Sequence, residues 1–166
     1  DCVRAALSHL TPDADLVISG VNAGANLGVD LLVSGTFAAA REAAIHGIAA
    51  MAVSHYRRPE VPVTWEHVPE WLSPTLDEFS AVAREGCGEN GVLWNVNLPA
   101  IDPATQSPPR VRCAVDTRPL IRVARSAGAV LHLESDFHGR PRENGSDVER
   151  CFAGFITLSE LRPHLA

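Results

Sequence analysis

The chain has 166 residues, a formal net charge of −6 and no lysine, because all 14 basic residues are arginines. The absence of lysine excludes a phosphate-loop lysine and Schiff-base or pyridoxal-phosphate chemistry. The length suits one domain with a buried core, and 46% apolar against 20% charged residues is typical of a folded globular chain. No apolar run approaches a membrane span, and the mild acidity disfavours a specific nucleic-acid partner, so we expect neither.

The four cysteines (Cys2, Cys87, Cys113 and Cys151) are widely spaced and form no C-x-x-C pair. This spacing, in a chain of this size, predicts reduced thiols and a cytoplasmic protein. The chain begins at Asp1 without a methionine, which predicts a fragment whose natural N-terminus lies upstream.

Apolar periodicity and turn residues predict elements of both secondary-structure types in the first hundred residues. Pro74 is expected to end an initial turn of its helix, with the main helix starting at Thr75. The order strand, loop, helix, strand predicts a βαβ unit with parallel pairing. The expected elements are a helix over residues 1–10, a strand over 15–19, a Gly-rich loop over 20–33, a helix over 37–46, a strand over 49–54, a helix over 68–85 and a strand over 92–96.

After residue 100 the chain becomes rich in proline, arginine and glycine. This composition predicts an extended β arm outside the parallel sheet, with short strands at residues 111–115 and 129–133. Ser146 and Asp147 are expected to cap a short helical turn that precedes a last strand at residues 154–158. A single domain with three parts follows: a core α/β part over residues 1–100, a β arm over 101–145 and a C-terminal strand segment over 146–166.

The most informative stretch is residues 19–28, Ser-Gly-Val-Asn-Ala-Gly-Ala-Asn-Leu-Gly. Its glycines are four residues apart, so it does not meet the G-x-G-x-x-G fingerprint, which makes a dinucleotide-binding oxidoreductase the weaker hypothesis. The stretch follows a strand, where α/β sheets bind ligands. Asn22 could hold a hard cation through its amide oxygen, whereas a tight turn with Asn and Gly in left-handed conformations explains the same pattern without a ligand.

A second candidate feature opens the following helix. Ser34, Gly35 and Thr36 precede a helix whose first-turn amides have no partner inside the helix, an arrangement that suits a phosphate. Plain N-capping by Ser34 or Thr36 is the alternative interpretation. Because this turn and residues 19–28, the Gly/Asn loop, are expected at the same edge of the sheet, we predict a site for a metal and a phosphate.

These residues resemble the SurE family of metal-dependent nucleotidases. The resemblance rests on residues 19–28 and on Ser34-Gly-Thr-Phe-Ala-Ala-Ala40 at a fixed spacing, and on Asp1-Cys-Val3, Asn95-Val-Asn-Leu-Pro99, Gly145-Ser-Asp147 and Gly154-Phe-Ile-Thr-Leu158. It implies a SurE-like, Rossmann-type three-layer α/β sandwich with a mainly parallel sheet and an extended β arm, from which the first strands are missing.

The resemblance also implies a function. The family hydrolyses nucleoside monophosphates or other small phosphate esters with a divalent cation such as Mg²⁺ or Mn²⁺. Asn22 is then a metal ligand, Asn26 lines the site, and Ser34, Gly35 and Thr36 receive the phosphate.

The family's paired aspartates and its serine ligand come from a segment that precedes this chain's first residue, so the remaining metal ligands are expected upstream of Asp1. Homodimers or homotetramers with swapped C-terminal segments are also implied. The alternative hypothesis is an inactive fragment or shortened homologue that only binds nucleotide or phosphate, or oligomerises.

Other polar and aromatic side chains have ordinary structural explanations. Asp30 is interpreted as a solvated loop carboxylate and Asp147 as a helix cap. His132 and His138 lie in the predicted arm, where they could meet substrate or a neighbouring subunit. The tryptophans are interpreted as packing residues rather than base-stacking platforms: Trp65, Trp71 and Trp94.

Overall fold

The structure, a computed structural model, describes residues 1–86, 91–104 and 107–163. A π-helical turn over Ala6–Leu10 continues the first helix, and a 3-10 helix spans Gly28–Val33. The α-helices and strands follow in chain order: α1 (Cys2–Ala5), β1 (Leu16–Ala23), α2 (Gly35–Ile45), β2 (Ala49–His55), α3 (Val68–Glu85), β3 (Leu93–Leu98), β4 (Arg110–Arg112), β5 (Arg122–Ala127), β6 (Val130–Ser135), α4 (Asp147–Phe152) and β7 (Ile156–Leu161).

Within the described residues, five strands form one sheet in the order β1-β2-β3-β7-β4. The pairs β1–β2 and β2–β3 are parallel, β7 runs antiparallel to β3, and β4 pairs parallel with β7. The mainly parallel sheet and the βαβ unit of β1, α2 and β2 are therefore confirmed.

The buried strand β2 shows how the sheet acquires a helix on each face. Successive side chains of a strand point to opposite faces. Ala50 and Ala52 accordingly pack in one apolar cluster with α2, and Met51 and Val53 pack in the other with Trp71 and further side chains of α3. The small side chains let α2 approach its face closely, and the result is the expected three-layer α/β sandwich.

Strand β1 is longer than predicted, because it continues to Ala23 into the stretch expected to be loop. The pairing with β2 shifts register between Ser19 and Asn22. Gly20 makes this path possible: its φ is +133°, and a Cβ there would lie 2.2 Å from the carbonyl oxygen of Val53. The first part of the predicted Gly-rich loop is thus a distorted strand end that only glycine allows.

The prediction that Pro74 ends an initial turn is wrong. Helix α3 is continuous over Val68–Glu85 with Pro74 inside it. Side chains on both sides of the proline, Trp71 and Leu72 before it and Phe79 after it, are buried in the same core. Burial of this apolar face holds the helix together across the missing backbone hydrogen bond.

The predicted arm is divided between two sheets. Arg110–Arg112 belongs to the main sheet, so the expectation that this strand lies outside the sheet is wrong. The arm proper is an antiparallel hairpin of β5, which sequence patterns missed, and β6. The short C-terminal helix is confirmed, since Ser146 caps α4 and its Oγ accepts from the amide of Glu149 at 3.3 Å.

Three cysteines are free thiols: Cys2 is exposed, Cys113 half-buried and Cys151 buried. Cys87 lies outside the described residues. Burial raises the pKa of the Cys113 thiol to about 11. None of the described helices has the length and apolar character that a membrane span requires.

We expect Gly20→Ala to lower the free energy of unfolding by at least about 2 kcal/mol, because the new methyl group meets the Val53 carbonyl and the backbone must leave a positive φ. Urea unfolding monitored by circular dichroism measures this change. Gly35→Ala is the matched control: a Cβ there meets nothing within 4 Å, so stability should stay equal or rise by up to about 1 kcal/mol. Equal stabilities of the two variants would contradict the close-contact explanation.

Candidate functional site

The segment that follows β1 is hydrogen-bonded to side chains at the carboxyl ends of the parallel strands. The Asn26 amide donates to Oδ1 of Asn97 (2.9 Å), and Asn26 Nδ2 donates to the Ser54 hydroxyl (2.6 Å). The Asn26 carbonyl accepts from Nδ2 of both Asn95 (2.9 Å) and Asn97 (3.0 Å). Four hydrogen bonds thus fix this loop to the ends of β2 and β3, at the sheet edge where α/β proteins bind ligands.

Asn22 lies at the same edge, near the end of β1, and is half-buried. Its Nδ2 donates to the Gly24 carbonyl at 2.9 Å, and the Gly24 amide donates to the His55 carbonyl at 3.0 Å. This local turn fixes the amide plane of Asn22. Among the described residues, its Oδ1 accepts no hydrogen bond, so this oxygen is available to a ligand. The buried Oδ1 of Asn95 likewise has no hydrogen-bond partner among them.

Ser34 is the N-cap of α2, and its Oγ accepts from the Phe37 amide at 3.2 Å. The simple capping interpretation is therefore confirmed for Ser34. Gly35 is exposed and Thr36 half-buried, and within the described part of the chain neither of their amides has an acceptor. The described hydrogen bonds do not link this turn to Asn22 or Asn26, so its role as a phosphate site stays a prediction.

A buried carboxylate holds the other end of the loop. Asp147 is fully buried and accepts from the amides of Gly28 (2.9 Å), Asp116 (2.8 Å) and Val148 (2.8 Å). Burial raises its pKa, and the three amides oppose that rise. Asp147 is thus more than a helix cap, since it joins the Gly/Asn loop of residues 19–28 (the site loop), the start of the arm and α4.

Asp116 is also fully buried and continues this network. Its carboxylate accepts from the amides of Arg118 (2.8 Å) and Glu143 (2.6 Å) and from the Ser146 hydroxyl (2.8 Å). Burial alone would raise its pKa, but these donors together lower it. The two ends of the arm are therefore tied to each other at its root.

The interpretation of Asp30 as a solvated carboxylate is wrong. Asp30 lies 2.7 Å from the guanidinium of Arg140, whose side chain is fully buried. Arg140 also donates to the Arg118 carbonyl at 2.9 Å. A desolvated guanidinium needs a carboxylate partner, so the half-buried Asp30 pairs with the arm root instead of being a free surface carboxylate.

A histidine pair beside the site was missed by sequence reasoning. His55 Nδ1 donates to the Tyr56 carbonyl (2.9 Å), so in the neutral ring its Nε2 accepts from the Nε2–H of His67, 2.8 Å away. The Thr64 hydroxyl lies 3.3 Å from His67 Nδ1. His55 is 2% exposed, and burial lowers its pKa to about 4. No spacing motif connects the two histidines. The available signal was that His55 directly follows the predicted strand over residues 49–54, at the edge where α/β sheets bind ligands.

The described residues contain no group of three or more His, Cys, Asp or Glu side chains able to hold a metal ion. Asn22 Oδ1 suits a hard cation such as Mg²⁺, but a neutral oxygen alone does not bind one firmly. The nearby carboxylates are committed elsewhere, Asp30 to Arg140 and Asp147 to backbone amides. The described part of the chain therefore supplies a fitting neutral oxygen at Asn22, and charged ligands would have to come from outside it.

Comparisons with known proteins agree on one family. The model of the family described as "Survival protein SurE" matches residues 1–119. A putative 5'-nucleotidase of Nostoc sp. is 42% identical over 98% of this chain and 70% of its own length, and a 5'-nucleotidase SurE of Clostridium beijerinckii is 30% identical over 97% and 64%. The crystal structure of the SurE protein from Aquifex aeolicus superposes with a TM-score of 0.78 at 25% identity, covering 100% of this chain and 67% of that one.

The buried His55 should make stability depend on pH. The ordinary histidine pKa of 6.5 applies to His55 in the unfolded chain. Between pH 6.5 and pH 4 the unfolded chain therefore binds a proton at His55 that the folded chain does not bind. We expect this residue to contribute a loss of about 3 kcal/mol in unfolding free energy from pH 7 to pH 4. Urea unfolding of His55→Gln at both pH values should show a loss smaller by about that amount, whereas equal losses in both proteins would contradict the assignment.

Proposed function

The chain belongs to the SurE family, and on that premise we propose that it acts as a nucleotidase, a phosphomonoesterase that converts nucleoside monophosphates into nucleoside and phosphate. The observation that carries the proposal is the family match together with relatives named 5'-nucleotidase, one of them 42% identical. Other small phosphate esters are secondary substrates. The Gly/Asn loop at the carboxyl ends of the parallel strands supports the same location for the chemistry.

A divalent cation, Mg²⁺ or Mn²⁺, is the proposed cofactor, with Asn22 Oδ1 as the ligand that this part of the chain supplies. Such a cation, when bound, polarises phosphate oxygens and lowers the pKa of a bound water. The hydrogen bond from Asn22 Nδ2 to the Gly24 carbonyl supports this role, because it leaves the oxygen end of the amide free. Asn26 holds the loop in place through its contacts with Ser54, Asn95 and Asn97.

Phosphate binding is proposed for the first turn of α2. The amides of Gly35 and Thr36 lack acceptors among the described residues and lie at the positive end of a helix of 11 residues. Ser34 Oγ accepts from Phe37, so its own proton remains available to a phosphate oxygen. A chain without lysine must hold a phosphate by amides, hydroxyls, arginine or a metal, and this turn offers the first two.

In the full-length protein, we expect Asn22→Ala to lower the metal-dependent kcat/KM for a nucleoside monophosphate by about 100-fold, because the proposed metal ligand is lost. Phosphate release with Mg²⁺ or Mn²⁺ measures the effect. Asn144→Ala is the matched control, since Asn144 is exposed and remote in sequence from the loop. Unchanged activity of Asn22→Ala at saturating metal would show that the ligand is misassigned. No phosphate release by the unsubstituted protein with any divalent metal would favour the non-catalytic alternative.

A homo-oligomer, dimer or tetramer, is proposed as the partner arrangement, and the β5–β6 hairpin supports it. Every residue of both strands is exposed. Ala124 pairs with Leu133 and Ser126 with Leu131, so these side chains share one face on which the leucines are 69% and 61% exposed. An isolated hairpin is marginally stable in water. A second copy of the chain covering this face would stabilise it.

We expect Leu133→Asp to weaken self-association at least tenfold, because it places a charge in the proposed contact. Light scattering coupled to gel filtration measures the assembly across a dilution series. Val130→Asp, on the opposite face of the same hairpin and 57% exposed, should leave the assembly intact. If both variants behave alike, the leucine face is not the contact.

A further inference from the structure

Four aromatic rings meet where the arm returns to the core. Tyr56, directly after β2, stacks on Phe152 of α4 with centroids 4.6 Å apart and planes 12° apart. Phe137 lies 6.0 Å from Tyr56 and 5.7 Å from Phe152. The ring of His138 lies 5.7 Å from Tyr56 and edge-on to Phe137 at 5.8 Å. Together these four side chains form the aromatic cluster.

The aromatic cluster adjoins the Gly/Asn loop. Leu27, from that loop, is buried in the same apolar group as Tyr56, and Ala25 packs against the group together with Phe137. Ala25 lies between Asn22 and Asn26 in the chain. The cluster therefore lies beside the loop that carries Asn22, the proposed metal ligand.

The rings of the aromatic cluster differ in exposure. Tyr56 is 3% exposed and Phe137 and Phe152 are half-buried, but His138 is exposed. The Tyr56 hydroxyl lies 2.6 Å from His138 Nδ1, which fixes the plane of the exposed ring. A guanidinium adds positive charge beside it, since Arg142 lies 5.1 Å from the Phe152 ring and donates to the His138 carbonyl at 3.2 Å.

We propose that His138 is a specificity-determining residue: its exposed ring stacks on the base of the nucleotide substrate, with Phe137 as its support. The inference rests on the nucleotidase function proposed above and adds the part of the substrate that the phosphate contacts do not reach. An exposed aromatic ring that is held rigid loses little entropy on stacking, and its free Nε2 can exchange a hydrogen bond with the edge of a base. Stacking tolerates any base, so a broad preference for nucleotides over sugar phosphates follows.

The test compares two substrates that share phosphate and sugar, adenosine 5'-monophosphate and ribose 5-phosphate, in the full-length protein with divalent metal. The ratio of their kcat/KM values isolates the base. His138→Ala should lower this ratio about tenfold, as expected for the loss of one base–aromatic contact. His138→Phe should restore most of the ratio because it keeps the ring. His46→Ala is the matched control, since His46 is exposed at the end of α2 and contacts Glu42.

An unchanged ratio in His138→Ala, or an equal loss for both substrates, would overturn the inference, because a purely structural role affects both alike. Calorimetric binding of the same two compounds separates this failure from failure of the proposed function. If neither is hydrolysed, the nucleotidase proposal fails. If the unsubstituted protein binds the nucleotide more tightly than ribose 5-phosphate, and His138→Ala removes that difference, the base contact is still supported. Equal binding of both compounds by the unsubstituted protein would refute it.

Should His138→Ala fail to fold, Tyr56→Phe removes the hydroxyl that contacts the His138 ring. This variant is expected to lower the kcat/KM ratio, and an unchanged ratio would count against the proposal.

Discussion

Three segments of the molecule meet at the carboxylate of Asp147, where backbone amides take the place of water. Donors come from Gly28 in the site loop, Asp116 at the start of the arm and Val148 in α4. Each of these amides would be unsatisfied in the core without the carboxylate, at a cost of about 1–3 kcal/mol apiece. The position of the site loop therefore depends on a residue 119 positions away in the chain.

A second buried contact at the same junction joins the arm to the loop. Arg140 is fully buried and spans from Asp30 in the 3-10 helix to the Arg118 carbonyl at the arm root. Gly28 leaves room for this guanidinium, because a Cβ there would lie 3.2 Å from Arg140 Nη2 and from the Asp116 carbonyl oxygen. The buried guanidinium of Arg140 depends on Asp30 for a counter-charge, so the pair tolerates little displacement. The arm root and the loop are consequently held in one fixed relative position by these contacts.

Sequence patterns predicted the parts of the fold that depend on neighbours in the chain. The outer bounds of α3 and the parallel pairing of β1 with β2 follow from periodicity and the βαβ order, and the structure confirms them. Of the two caps left open for α2, Ser34 is the one that the structure shows. The Asp30–Arg140 and Asp147–Gly28 contacts join residues 110 and 119 positions apart, and no local pattern encodes them. Strand β5 was missed because its exposed sequence, Arg-Val-Ala-Arg-Ser-Ala, has no regular apolar alternation.

The hairpin and the aromatic cluster are connected, because the hairpin has to be anchored at its roots and the cluster is one of its anchors. A ribbon of two fully exposed strands cannot fix its own orientation, so both of its roots must be anchored. Buried carboxylates and Arg140 anchor them on one side, and on the other Phe137 and His138 pack on Tyr56 and Phe152. The rings nearest the site loop are thus the ones that hold the arm, and covering the hairpin by a second copy would steady both. If the proposed oligomer forms through this hairpin, it would restrain the aromatic cluster without the hairpin itself having to reach the substrate.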